Sequence, residues 1–309
     1  MEGQKKAYLL GILAVLIWST VASAFKITLE HMDPPTMVVV ASMFSTAALF
    51  AMVLMTGRLS KLLSMTREER CRLMLPGALN PFMYYLFLFW TYDILKAQEA
   101  QALNYTWPIV LTVLSILVLK QKIGRLSLVA IAVSFIGVII VTTRGGFFTE
   151  GVLDPLGLGL GLSSAVIWSV YWIVNLRDGS DSMIKLFLNF LFGTILTTIF
   201  VMVAFGLDTG GWPGFAGAFY IGIFEMGVTF LIWLTALRLS SDTSKISNLI
   251  YLGPFLSLFF IAWIVGERIL PSTVAGLVLI SLGIVLQRLD DRKKKYLRDQ
   301  VPQSGGGVQ

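Results

Sequence analysis

Cysteine, histidine and charge are all scarce in this chain, and each scarcity closes off a class of function. Cys71 is the only cysteine, so no intrachain disulfide can form, and His31 is the only histidine, so there is no Cys/His set to hold a structural metal. Dinucleotide chemistry is equally unsupported. The run Gly157-Leu-Gly159-Leu-Gly161 lacks the spacing and strand context of a phosphate-cradling loop, and it reads better as a small-residue contact between helices. Charged residues make up 14% of the chain, against roughly 25% in a soluble domain.

Apolar residues fill the space left by the missing charges. They account for 56% of the 309 residues, and the mean hydropathy is +0.79, so a bilayer has to act as the solvent. Apolar runs fall near 8–29, 34–56, 73–95, 99–119, 126–143, 156–176, 184–206, 214–237, 246–265 and 271–288. Each approaches the roughly 20 residues that a spanning helix needs, and together they predict ten spans. The N-terminal run, with Lys5-Lys6 before it and Ala22-Ser23-Ala24 near its end, imitates a secretory signal. It is longer than such a signal, however, and its Trp18 pattern returns deep in the chain, so it is expected to stay as an uncleaved span.

The basic residues test the span count. With a cytoplasmic N-terminus, 20 of the 24 lysines and arginines fall in cytoplasmic segments; Lys96, Arg144 and Arg268 fall outside, and Lys26 lies within the first span. This is the positive-inside pattern at every loop. The net charge of +6 is therefore a signal of topology and implies no nucleic-acid partner. The expected location is the cytoplasmic membrane, multi-pass, with both termini in the cytoplasm.

Two echoes divide the chain. Gly11-Ile-Leu-Ala-Val-Leu-Ile-Trp18-Ser19 returns as Gly161-Leu-Ser-Ser-Ala-Val-Ile-Trp168-Ser169, and Leu103-Asn-Tyr105-Thr-Trp-Pro108 as Leu249-Ile-Tyr251-Leu-Gly-Pro254, with Gly137 falling opposite Gly283. The repeats run over 1–143 and 156–288, joined by a linker over 144–155 that faces away from the cytoplasm, and a charged tail over 289–309 is expected to be disordered. Five spans per repeat is an odd number, so the second copy enters the membrane from the opposite face. The expected fold is an all-α integral membrane protein of ten transmembrane helices in two inverted five-helix repeats, the architecture of many secondary transporters.

Polar residues inside spans mark the candidate site. Gln98, Gln101, Asn104, Tyr105, Pro108, Thr112 and Ser115 follow one helix face in span four, and Ser244, Asn248, Tyr251 and Pro254 repeat the stripe in span nine. Such faces should avoid lipid and point into the bundle or a wet pathway. Pro108 and Pro254 each remove an intrahelical bond, freeing the carbonyls of Asn104 and Ile250 and marking a helix break. Trp18 and Trp168, like Tyr105 and Tyr251, hold equivalent mid-span positions and are candidates for aromatic walls around a substrate. Among the ionisable groups, Lys26 suits a substrate carboxylate or a snorkelling role, and Asp93 suits the interface. Glu225 is the deepest; an unpaired carboxylate there must find a partner or take up a proton, so it is a candidate for proton coupling or for a substrate amine.

These features resemble a known family. Ile17-Trp18-Ser19-Thr20 followed by Lys26, the proline-bearing fourth and ninth spans, and their endings Lys120-Gln121-Lys122 and Gly266-Glu267-Arg268 are similar to the EamA type of the drug/metabolite transporter superfamily. Asn104-Tyr105-Thr106-Trp107-Pro108 resembles the bacterial aromatic amino-acid exporter branch. The resemblance implies a basket of helices around a central cavity and export by alternating access of amino acids, aromatic or otherwise apolar, or of similar small metabolites. A multidrug or other metabolite transporter is the near alternative. It implies no cofactor, and as partners a small-molecule substrate, the bilayer and protons. An integral membrane enzyme is the remote alternative, and nothing in the chain forms the clustered His, Asp and Glu that such an enzyme needs.

Overall fold

The computed structural model describes residues 2–119, 125–145, 153–176, 178–208, 210–240, 246 and 249–300, and every regular element among them is helical. The first half comprises α1 (Glu2–Leu29), α2 (Pro34–Met55), the short α3 (Leu59–Ser64), α4 (Arg67–Met74), α5 (Tyr84–Ile94), α6 (Ala97–Asn104), α7 (Trp107–Leu119) and α8 (Arg125–Thr142). The second comprises α9 (Pro155–Leu176), α10 (Ser182–Ala204), α11 (Gly211–Tyr220), α12 (Thr229–Leu239), α13 (Gly253–Phe260) and α14 (Pro271–Gln300).

Six of these stretches are long and apolar enough to cross a bilayer, beginning at Gly3, Pro34, Arg67, Pro155, Ser182 and Gly211, and Leu126–Thr142, Leu249–Val265 and Pro271–Gln287 are shorter apolar helices. The protein is a helical membrane protein. Its surface agrees, because Leu9, Met55, Val203, Trp212 and Trp263 are exposed while Ser19, Gln98, Glu99, Asn189 and Thr229 are buried. Water would penalise that arrangement, whereas hydrocarbon favours it.

Local chemistry sets the helix ends. Asp33 Oδ1 accepts from Thr36 N at 2.9 Å ahead of Pro34-Pro35 at the start of α2, and Asp154 Oδ1 accepts from the amides of Leu156 and Gly157 at the start of α9. Thr66 and Glu69 form a reciprocal capping box on α4. Asp181 caps α10 and also takes Arg58 Nε at 3.1 Å and Lys61 Nζ at 3.6 Å. Burial pushes this carboxyl up, but the bonds from Arg58 and from the Ile184 and Met183 amides outweigh it and hold the group below its ordinary value.

Two expectations change here. Span three is interrupted, a 3-10 turn (Leu75–Ala78) and a π turn (Leu79–Met83) separating α4 from α5, whereas span four breaks where Pro108 led one to expect, Tyr105-Thr106 separating α6 from α7. Pro76, Pro81 and Pro108 remove helical donors at these places. Span eight holds a π segment as well, Ile221–Val228, between α11 and α12. The charged tail also departs from expectation, because α14 continues as helix to Gln300. Residues 301–309 lie outside the described residues.

Contacts across the bundle come in reciprocal pairs. Gly11 of α1 lies against Leu249, while Gly161 of α9 lies against Leu103. Gly77 approaches the Asn189 carbonyl of α10, while Gly222 approaches the Ala41 carbonyl of α2. Ser45 Oγ donates to Met226 O at 3.0 Å, and the neighbouring Thr46 and Thr194 hydroxyls meet at 2.9 Å. On the opposite flank α8 packs along α14, and Ser134 Oγ donates to Ile280 O at 3.3 Å.

The α8–α14 contact depends on glycine. A Cβ at Gly137 would fall 2.6 Å from Gly276 O, and one at Gly283 would fall 2.6 Å from Ala130 O, so neither backbone can accept a side chain without moving away. Gly137→Val and Gly283→Val are each expected to destabilise the protein by about 1–3 kcal/mol, the usual cost of overpacking. Gly159→Val, where nothing lies within 4 Å, should be close to neutral. Loss of the monodisperse peak on size exclusion after graded heating in detergent checks the order.

Candidate functional site

The aromatic and polar groups at mid-bundle come from four spans. Tyr84 begins α5 directly after the π turn, and its ring stacks on Trp168 of α9 with centroids 4.5 Å apart and planes at 29°. Trp168 stacks in turn on Tyr171 at 5.5 Å and meets Trp172 edge-on at 6.0 Å, and Trp172 lies parallel to Trp107 at 6.5 Å. Tyr84 Oη accepts from Asn104 Nδ2 at 3.1 Å. Tyr85, set edge-on against Tyr84 at 4.8 Å, donates its hydroxyl to Glu225 Oε1 at 3.3 Å. A continuous line thus runs from Glu225 through Tyr85 and Tyr84 to Trp168. Glu225 and Trp168 at its two ends are half-buried.

The two proline breaks are held from the opposite half. Ser169 Oγ lies 2.9 Å from Trp107 O and Ser19 Oγ 3.3 Å from Gly253 O, each hydroxyl sharing its one proton with a nearer carbonyl of its own helix, Ala165 O at 2.7 Å and Val15 O at 2.6 Å. Each serine follows the tryptophan of the repeated motif, and each accepting carbonyl precedes the proline of the other. The first break also satisfies itself locally: Tyr105 N donates to Gln101 O at 2.9 Å and Thr106 N to Leu103 O at 3.1 Å. Tyr105 places its hydroxyl 3.0 Å from where a Gly253 Cβ would stand, so the glycine leaves room for this ring against the second break.

The sequence candidates therefore separate. Asn104, Tyr105, Pro108 and Trp168 gather around the first break, and Tyr251 and Pro254 sit at the second, on the 3-10 turn Leu249–Leu252 and at the start of α13. Trp18 packs instead on Phe230 and Trp233 of α12, with centroids 5.5 and 5.6 Å apart. Lys26 is committed elsewhere: its ammonium donates to Tyr92 O at 2.7 Å, Leu95 O at 2.9 Å and Asp93 O at 3.4 Å, closing the C-terminal end of α5. Asp93 is exposed.

Several members of the polar stripe join helices. Gln98 binds Arg268 O, the Leu270 amide and Glu267, whose carboxylate also accepts from Ala97 N at 2.7 Å at the start of α6. Gln101 accepts from Ser257 at 2.6 Å, and Thr112 donates to Pro108 O and is reached by Gln287. The Ser115 side chain, Ser244, Asn248 and the Lys120-Gln121-Lys122 motif lie outside the described residues.

Two features of the site were not expected from sequence. Tyr84 and Tyr85 are adjacent tyrosines in an otherwise apolar run, which was the available signal. Glu99 is fully buried and paired with Arg144, Nε to Oε1 at 2.7 Å, and this carboxylate sits at the very start of its apolar run. A separate cleft of about 430 Å³ opens between Asp33, Trp90, Phe205 and Asp208, away from the aromatic line. Its two carboxylates are occupied by the amides of Thr36 and Gly210.

A helical membrane bundle with broken helices and polar groups at mid-depth has the build of a transporter. Comparison with known proteins agrees: the model of the EamA-like transporter family matches residues 5–143 and 155–288, and the chain belongs to that family. It is similar to an uncharacterized transporter of Clostridium kluyveri, 26% identical over 309 residues and covering 95% of this chain and 96% of that one. The uncharacterized transporter YvbV of Bacillus subtilis is 24% identical over 265 residues, covering 82% and 86%. One solved crystal structure shares the fold with a TM-score of 0.61 at 21% identity, covering 94% of this chain and 99% of that one. The protein is a membrane transporter of the drug/metabolite transporter superfamily rather than an enzyme.

The Glu99–Arg144 pair yields a test. Glu99 has no exposed surface and Arg144 is 35% exposed, so Arg144→Ala strands a buried carboxylate at a cost of about 2 kcal/mol once the partial exposure of the arginine is allowed for. Adding Glu99→Gln should recover most of that loss, which thermal melts of the single and double variants will read.

Proposed function

We propose that the protein is a secondary exporter of small metabolites, amino acids with aromatic or apolar side chains foremost, working by alternating access between two inverted five-helix repeats of ten spans in the cytoplasmic membrane. The observation that carries this reading is the exchanged pair of bonds at the helix breaks, Ser169 to Trp107 O and Ser19 to Gly253 O. Each half holds the break of the other, so a tilt of one half is passed to the other around the shared centre. The reciprocal contacts of Gly11 with Leu249 and Gly161 with Leu103 support the same two-fold relation, as do the two segments matched by the family model.

The substrate surface in this reading comprises Asn104, Tyr105, Pro108 and Trp168, with Tyr251 beside the second break and Trp18 on α1. Its aromatic faces suit a flat apolar body, which fits the resemblance of Asn104-Tyr105-Thr106-Trp107-Pro108 to the aromatic amino-acid exporters. A multidrug or wider metabolite range uses the same surface. Orientation follows the basic residues, with both termini in the cytoplasm and residues 144–155 outside.

Counterflow of radiolabelled amino acids in proteoliposomes tests the activity, and the absence of counterflow for a full panel of amino acids would refute this choice of substrate. Pro108→Ala and Pro254→Ala should each slow transport about tenfold, equivalent to about 1.4 kcal/mol on the barrier, with little loss of folded protein. For orientation, Glu150→Cys in a Cys71→Ser background should react with an impermeant thiol reagent added to intact cells. Labelling confined to inside-out vesicles would reverse the topology.

A further inference from the structure

We propose that the mid-bundle site selects its substrate by positive charge, taking a protonated amine attached to a flat apolar body in preference to a zwitterionic amino acid. The inference rests on the reading as a transporter of small metabolites and replaces its foremost substrate, an amino acid, with an amine that lacks the carboxylate. It starts from a carboxylate with no basic partner. Glu225 lies within the π segment between α11 and α12, and its hydrogen bond comes from a neutral phenol, Tyr85, at 3.3 Å. None of the ion pairs among the described residues involves it.

The elements around Glu225 offer no cation at its depth. The π segment packs against α1, α2, α11 and α12, and Tyr85 brings α5. Helices α2 and α11 carry no charged residue at all. The charges of the other three lie toward their ends: Glu2, Lys5, Lys6 and Lys26 on α1, Arg238 on α12 and Asp93 on α5. The Lys26 ammonium already donates to three carbonyls. A substrate ammonium is therefore the group that completes this site, because a buried carboxylate gains most from a charge-assisted hydrogen bond.

The aromatic line supplies the rest of the recognition. Tyr85, Tyr84 and Trp168 follow from Glu225 in unbroken ring contact, and aromatic faces attract cations as well as flat apolar groups. Trp172 adds a buried indole N–H with no hydrogen-bond partner among the described residues. That neutral donor, with the Tyr84 hydroxyl, suits a hydroxyl or carbonyl oxygen. The helices around it, α7 and α9, carry no basic side chain to offset the desolvation of the carboxylate that a zwitterionic amino acid would bring.

Three probes sharing one ring separate the possibilities: phenethylamine (cation), phenylalanine (zwitterion) and phenylacetate (anion). Binding to the purified full chain is read by intrinsic tryptophan fluorescence, and exchange by counterflow in proteoliposomes. Phenethylamine is expected to bind at least about tenfold more tightly than phenylalanine, a difference of about 1.4 kcal/mol, with phenylacetate weakest. Glu225→Gln should remove that preference, Glu225→Asp should keep it, and Trp168→Ala should weaken phenethylamine in either background. Equal or tighter binding of phenylalanine, an unchanged preference in Glu225→Gln with an unchanged melting temperature, or no binding of any probe to folded protein would overturn the inference. Counterflow of phenylalanine that ignores Glu225→Gln leaves the transporter reading standing without this one. Tight, Glu225-dependent binding of phenethylamine without any counterflow has the reverse meaning.

Discussion

Hydrocarbon offers no hydrogen bonds, so every backbone group inside this bundle must find a partner within the protein. That requirement explains why the regular structure is helical and why each departure from a straight helix comes with its own repair. Where Pro108 ends the regular ladder, the amides of Tyr105 and Thr106 turn back onto Gln101 and Leu103, and Ser169 reaches the Trp107 carbonyl from the other half. The same demand fixes Lys26, whose three donors close the end of α5. The start of α6 is closed by Glu267 from the opposite repeat. Polar side chains here serve the backbone first, and those left facing the centre are few.

That division explains what could be read from the sequence and what could not. Trp18-Ser19 with Trp168-Ser169, and Pro108 with Pro254, were legible because repetition carries its own register. The spacing of apolar runs gave the membrane class for the same reason, since span length is a local property. The fate of Lys26 was hidden, because the carbonyls of Tyr92 and Leu95 leave no mark on the residues that carry them. Glu99 was hidden by its place at the start of a run, where a charge passes for a boundary. Its partner Arg144 lies two spans away in sequence and becomes adjacent only through packing.

Interruptions were legible in kind and missed in extent. Pro108 and Pro254 announced themselves, whereas the π segment around Glu225 contains no proline, and its glycines, Gly222 and Gly227, pack against α2 and the segment itself. A π turn changes the direction of a side chain by a fraction of a helical step. Periodicity along the chain cannot therefore say which way Glu225 points. Its meeting with Tyr85 is a tertiary fact, made where the first turn of α5 comes up against the π segment.

The exchanged contacts also bear on how the two copies can diverge. Gly137 and Gly283 each face a backbone carbonyl across α8 and α14, and Thr46 meets Thr194 directly. A change on one side of such a contact alters the fit on both, so residues near the pseudo-symmetry axis are constrained to drift together. Side chains at the breaks are freer to differ: Trp107 corresponds to Gly253, although the carbonyls of both are reached from the other half. In the inverted-repeat reading proposed above, the frame stays symmetric while its lining grows lopsided, and that lopsidedness is what allows one molecule to be told from another.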